Sequence, residues 1–116
     1  MTVSQTIIKH LSEPWFTLVK LGVKESEGRV YMGIWKTIKK DDKIIFTNND
    51  NGELRMTEVT VKEVIRYPSF HDYLQNEGLQ KCLPGMENMN VGVSVYRQYY
   101  TVEEEDKNGV VVIKLK

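Results

Sequence analysis

Gly22-Val23-Lys24-Glu25-Ser26-Glu27-Gly28-Arg29 joins two elements of different kind. Before it, Trp15, Leu18 and Val19 fall at helical spacing, and Gly22 is a natural helix stop. After it, Arg29–Met32 reads as a strand. The ends of elements are where proteins place groups that reach a ligand. Lys24 and Arg29 can together neutralise a phosphate or carboxylate, and Glu27 can orient the lysine or accept a proton. The plain alternative is a solvated turn, whose surface ion pairs contribute under ~1 kcal/mol.

Working outward, Thr6–Leu11 predicts a first strand. Ser12 predicts an N-cap, with Glu13 and Pro14 in the first helical turn. Lys39–Asp42 is a polar turn into the short apolar strand Ile44–Phe46, and Asn48–Gly52 is a hairpin turn. A long strand follows from Glu53 to about Tyr67. Its inward positions change phase, Leu54 and Met56 being even and Val59 and Val61 odd, which predicts a bulge or bend.

Beyond Pro68, Ser69 and Asp72 form a capping arrangement. Phe70, Tyr73 and Leu74 then give a helical face ending at Gly78, and Leu79–Leu83 is a further short turn of helix. Asn90–Tyr100 fits either period: Val91, Val93 and Val95 alternate, while Tyr96 and Tyr100 match a helix. Gly109–Leu115 closes the chain as a strand buried on both faces. About five to six strands with short helices inserted, and no regular crossovers, predict an α+β fold around a small barrel.

The 116 residues suit one domain, and 41% hydrophobic with 28% charged residues is ordinary for a soluble protein. Net charge is zero, so overall charge gives no reason for bulk attraction to nucleic acid or membrane. The charge is uneven, however. Residues 1–48 hold 8 Lys/Arg against 5 Asp/Glu, and the remainder hold 8 against 11. The basic excess therefore lies in the half containing Lys24 and Arg29. Glu103–Asp106 reads as a solvated helix start or loop.

Cys82 is alone, which excludes an internal disulfide and fits a reducing compartment and a buried thiol. No signal pattern and no apolar run of about 20 residues is present, so the expectation is a soluble cytoplasmic protein without membrane contact. His10 and His71 lie in no metal-ligand spacing, so no metal and no cofactor is expected, and both histidines read as surface residues. Most aromatic residues belong in the core. Trp15 or Trp35 is the candidate for a base-stacking wall, since stacking is worth ~1–3 kcal/mol per base.

Gly22, Lys24, Glu27 and Arg29 match the spacing G-x-K-x-x-E-x-R, and the chain resembles the ASCH domain family, a small β-barrel relative of the PUA fold. Tyr67-Pro68-Ser69-Phe70, Glu77-Gly78-Leu79, Leu83-Pro84-Gly85, Gly92 with Val95-Tyr96-Arg97, and Gly109-Val110-Val111 extend the likeness to small stand-alone archaeal members. The resemblance implies one ASCH domain over 1–116, a PUA-like barrel, and a helix at Asn90–Tyr100.

It also implies a cleft for RNA or a nucleotide-like ligand, bound by Gly22, Lys24, Glu27 and Arg29, with Trp15 beside them. Some members resembling this chain hydrolyse the acetyl amide of N4-acetylcytidine with a lysine, a threonine and a glutamate. Lys24 matches the lysine and Glu77 the glutamate, while Glu27 stands where the threonine belongs. In an enzyme, Lys24 and Glu27 would be the catalytic pair. The readings in order are an RNA- or nucleotide-binding module, a hydrolase of a modified nucleoside or RNA, and an adaptor with a protein partner.

Overall fold

The strand Val110–Leu115 (β5) anchors the sheet, because Val110, Val111, Val112 and Ile113 are all fully buried. This is the expected strand covered on both faces. The computed structural model describes residues 3–116, so the first two residues of the expected 1–116 domain lie outside the described residues. β5 is paired on one side by Arg55–Tyr67 (β4) and on the other by Ser26–Val30 (β2), both antiparallel. Lys43–Asn48 (β3) pairs antiparallel with β4, and Thr6–His10 (β1) pairs parallel with β3. The strand order is β1-β3-β4-β5-β2, a five-stranded half-barrel of α+β class that fits a small PUA-like barrel.

Among the described residues five short helices close the sheet: Trp15–Lys20 (α1), Phe70–Glu77 (α2), Leu79–Cys82 (α3), Met89–Arg97 (α4) and Val102–Asn108 (α5). Ser69 Oγ caps α2 by accepting from Asp72 N at 3.0 Å. Asn90–Tyr100 is helical through Arg97. Asn88 caps it, accepting from Val91 N at 3.0 Å, and Gly92 lets it close on Leu79 and Leu74. The core joins Phe16, Phe46, Phe70, Tyr73 and Leu74, all fully buried, across the sheet and helices.

Three local expectations are corrected here, while the expected bulge in β4 is present. Ser12 does not cap α1: the helix starts after Pro14, Glu13 accepts from Thr17 N at 2.9 Å, and Ser12 Oγ meets the Tyr99 hydroxyl at 3.0 Å. Leu54 and Met56 are 65% and 60% exposed rather than inward, because only the part of β4 beyond them is covered on its inner face. The register shift falls at Val61/Glu63, where β4 passes from partnering β3 to partnering β5. Glu105, in the acidic run, is buried: it accepts from Phe70 N at 2.5 Å and pairs with Arg97.

Candidate functional site

A further correction concerns the opening stretch. The strand begins at Ser26 rather than Arg29, so half of that stretch is sheet and not a turn. Pairing Ser26–Val30 against the apolar β5 draws a polar sequence inside. Successive side chains of a strand point to opposite faces. Ser26 and Gly28 therefore face α2, where Ser26 Oγ meets the Tyr73 hydroxyl at 2.6 Å. A Cβ at residue 28 would stand 2.5 Å from Tyr73 Cε2, so only glycine lets the strand lie this close to that ring. Glu27 and Arg29 share the other face.

Lys24 is buried beneath them. Gly22, at φ +76°, turns the chain so that Val23 N and Lys24 N both donate to Leu18 O, at 2.9 and 3.0 Å. The lysine Nζ donates to Ser26 O at 2.6 Å and Cys82 O at 2.5 Å, and faces Glu27 Oε1 at 3.7 Å. Burial holds its pKa below the ordinary lysine value, opposed by the Glu27 carboxylate. Its ammonium also lies 5.7 Å from the centre of the Trp15 ring.

Above this buried pair opens a cleft of about 460 Å³ between β1, β2, α1 and the end of α4. Trp15, Tyr96, Tyr99 and Tyr100 supply aromatic walls, and Glu27 and Arg29 supply charge. Arg29 Nη2 donates to Glu27 Oε2 at 3.0 Å. Burial works against the guanidinium charge, but Glu27 and Tyr100 hold its pKa above the ordinary value. Tyr96 stacks on Phe70 with ring centres 4.0 Å apart and planes 5° from parallel. Its hydroxyl is buried and has no hydrogen-bond partner among the described residues. Burial, then the nearby Glu27 charge, pushes its pKa well up.

Of the sequence candidates, Trp15, Glu27 and Arg29 meet at the cleft, Trp15 also belonging to the core. Lys24 lies below and spends its protons internally. Gly22 is exposed and shapes the turn. Glu77 lies outside the cleft lining, bonded to the Tyr67 hydroxyl and paired with Lys114 at 3.2 Å. Trp35 is buried behind the cleft rim, with Arg29 Cζ 4.7 Å from its ring centre. Sequence reasoning missed Tyr96, Tyr99, Tyr100 and Lys9 as lining residues. The run Tyr96-x-x-Tyr99-Tyr100 at a helix end is a signal for the three tyrosines, and no sequence signal marks Lys9. His10 and His71 are exposed, and Cys82 is buried.

The ASCH domain model matches residues 10–116. The chain belongs to the ASCH family. It is similar to the crystal structure of hypothetical protein PH0355, at 39% identity and TM-score 0.84, covering 96% of this chain and 97% of that one. It is also similar to the solution structure of protein PF0455 from Pyrococcus furiosus, at 38% identity and TM-score 0.76, covering 96% of each chain. No curated protein matches it.

In this ASCH protein the chemistry on offer at the cleft is stacking and hydrogen bonding more than nucleophilic attack. Ser26, next to the position where the resemblance calls for threonine, turns its hydroxyl away to Tyr73. Ser12 at the rim is engaged with Tyr99. Among the described residues no group of three His, Cys, Asp or Glu side chains is placed to hold a metal ion, and no helix is long and apolar enough to cross a membrane.

Proposed function

We propose that this ASCH protein binds a single nucleobase in the cleft, as part of a nucleotide or of a single RNA strand. The Glu27–Arg29 pair carries the reading. It sets a carboxylate acceptor and guanidinium donors side by side inside a cleft walled by aromatic rings. A base offers the complement: a flat face for stacking and an edge of donors and acceptors. The volume, about 460 Å³, falls in the range of small-ligand sites.

Tryptophan fluorescence tests this directly, because Trp15 lines the cleft. Titration with a panel of nucleosides, nucleotides and short single-stranded RNA is expected to quench emission saturably. Arg29→Met is expected to weaken binding at least tenfold, about 1.4 kcal/mol. Absence of saturable quenching across the panel, with calorimetry agreeing, overturns the reading.

One observation favours a second reading, hydrolysis of N4-acetylcytidine: burial lowers the Lys24 pKa, as a catalytic lysine needs. Against it, Lys24 is tied to two carbonyls and Glu27, and the threonine position holds a carboxylate. Chromatography of N4-acetylcytidine incubated with the protein decides. The expected result is no cytidine; cytidine formed by the wild type and not by Glu27→Gln makes the protein an enzyme.

A further inference from the structure

The notable imbalance of the cleft is electrostatic. Three cations stand against one carboxylate: Lys9 and Arg29 line the cleft, Lys24 lies beneath, and Glu27 is shared by Lys24 and Arg29. Lys24 is sealed from solvent, so it balances Glu27 from inside the fold. That leaves Arg29 and Lys9 facing the cleft with more positive charge than the protein neutralises. Lys9 has no acidic partner among the described residues.

Trp35 lies beside both cations. Its indole, in the single turn of 3-10 helix Gly33–Lys36, is buried, with Lys9 Nζ 5.8 Å and Arg29 Cζ 4.7 Å from the ring centre. The ring face attracts each cation. Both cations line the same cleft, so one anion at its rim meets both. Arg29 donates from Nη2 to Glu27 and, at 3.4 Å, to His10 O, Tyr100 also supports its charge, and Arg29 lines the cleft. A planar guanidinium fork beside a lysine point charge is a combination suited to phosphate. Clefts with low-dielectric walls focus such a field.

We propose that Lys9 and Arg29, set on Trp35, form a phosphate subsite at the rim of the cleft, so that the ligand is a phosphorylated nucleoside rather than a free one. This rests on the nucleobase reading and names the group that the base brings with it. The phosphate is either the terminal monoester of a nucleotide or the diester of an RNA strand. It also replaces Lys24, which sequence alone pairs with Arg29 as phosphate ligand, by Lys9 on β1, the strand at the opposite edge of the sheet from β2.

The test is calorimetric titration of the full chain at low salt with five probes. These are a nucleoside, its two monophosphates with the phosphate on either end of the ribose, a dinucleotide with only the internal diester, and inorganic phosphate. Phosphate-bearing ligands are expected to bind about tenfold tighter than the nucleoside, with the advantage shrinking as salt rises. Lys9→Gln is expected to bring the ratio of nucleotide to nucleoside affinity towards one. A gain with the monophosphates alone identifies a terminal phosphate, and a gain with the dinucleotide identifies a strand; either supports the subsite. Equal affinity for nucleoside and nucleotides overturns the subsite and leaves the nucleobase reading standing. Lys9-dependent binding of inorganic phosphate, with no gain from any base, keeps the subsite and removes the nucleobase reading. No binding of any probe removes both.

Discussion

The Lys24 ammonium and the Glu27 carboxylate face each other at 3.7 Å with side chains 1% and 6% exposed. Glu27 Oε2 is at the same time the acceptor for Arg29. One carboxylate thus connects a cation inside the fold to a cation in the cleft. The buried lysine fixes the glutamate, and the glutamate aims the arginine. Site geometry and fold stability are therefore coupled at this pair.

Replacing Lys24 tests that coupling. Lys24→Met keeps much of the volume but strands Ser26 O and Cys82 O without a donor and leaves Glu27 half-compensated. Breaking one partner out of a buried ion pair typically costs about 3–5 kcal/mol. The expected outcome is a loss of that order in the urea unfolding free energy. A loss under about 1 kcal/mol, the scale of a solvent-exposed pair, sinks the buried geometry.

Gly28 is the second sensitive position. An alanine methyl there has to displace the Tyr73 ring, which is fully buried and tilted against Tyr67 at 6.2 Å and Tyr96 at 6.3 Å. Overpacking of this kind costs about 1–3 kcal/mol. Thermal unfolding of Gly28→Ala is expected to show a lower midpoint, while Gly33→Ala, where a Cβ meets nothing, bears only the strain of its positive φ. Equal midpoints for Gly28→Ala and wild type show that the ring moves freely.

Sequence made parts of this legible and concealed others for definite reasons. β5 announced itself through four consecutive apolar residues, and α2 through Ser69, Asp72 and Gly78. The β2 strand was hidden because Ser-Glu-Gly-Arg has no strand-like composition; its structure comes from lying against β5. The valine alternation at 91, 93 and 95 pointed the wrong way, because local period yields to the Asn88 cap and the close approach at Gly92. At the site, Glu27 and Arg29 were readable as one spacing. Lys9, Tyr96, Tyr99 and Tyr100 come from β1 and the end of α4, and only the tertiary fold brings them to β2.

The unpartnered Tyr96 hydroxyl gives a prediction in the opposite sense to the first two. A buried hydroxyl without a partner costs about 1–3 kcal/mol of desolvation, and Tyr96→Phe removes it while keeping the ring stacked on Phe70. The unliganded variant is expected to be as stable as wild type or more so, by up to about 1 kcal/mol. A clear drop in unfolding midpoint shows that the hydroxyl is bonded in solution.

Alkali should unfold the protein, and the sign follows from its tyrosines. Burial pushes Tyr73, Tyr96 and Tyr100 upward, and the Glu77 hydrogen bond, with burial, pushes Tyr67 up to about 12. Below the ordinary tyrosine value of 10.0 both folded and unfolded chains are protonated, so this contribution is intact. Above it the unfolded chain loses protons that the folded chain keeps, and stability falls as pH rises. For Tyr67 the loss runs from 10.0 to about 12. Lys24 opposes this: its folded pKa lies below 10.5, so the unfolded chain binds the extra proton and stability rises with pH up to that value. Four tyrosines outweigh one lysine, so the net slope above 10.0 is downward. Near-ultraviolet tyrosinate absorbance and circular dichroism, followed on one sample, are expected to change together, and Tyr67→Phe to make the loss shallower. If these tyrosines ionise near 10.0 with the circular dichroism unchanged, their hydroxyls are open to solvent in the folded protein.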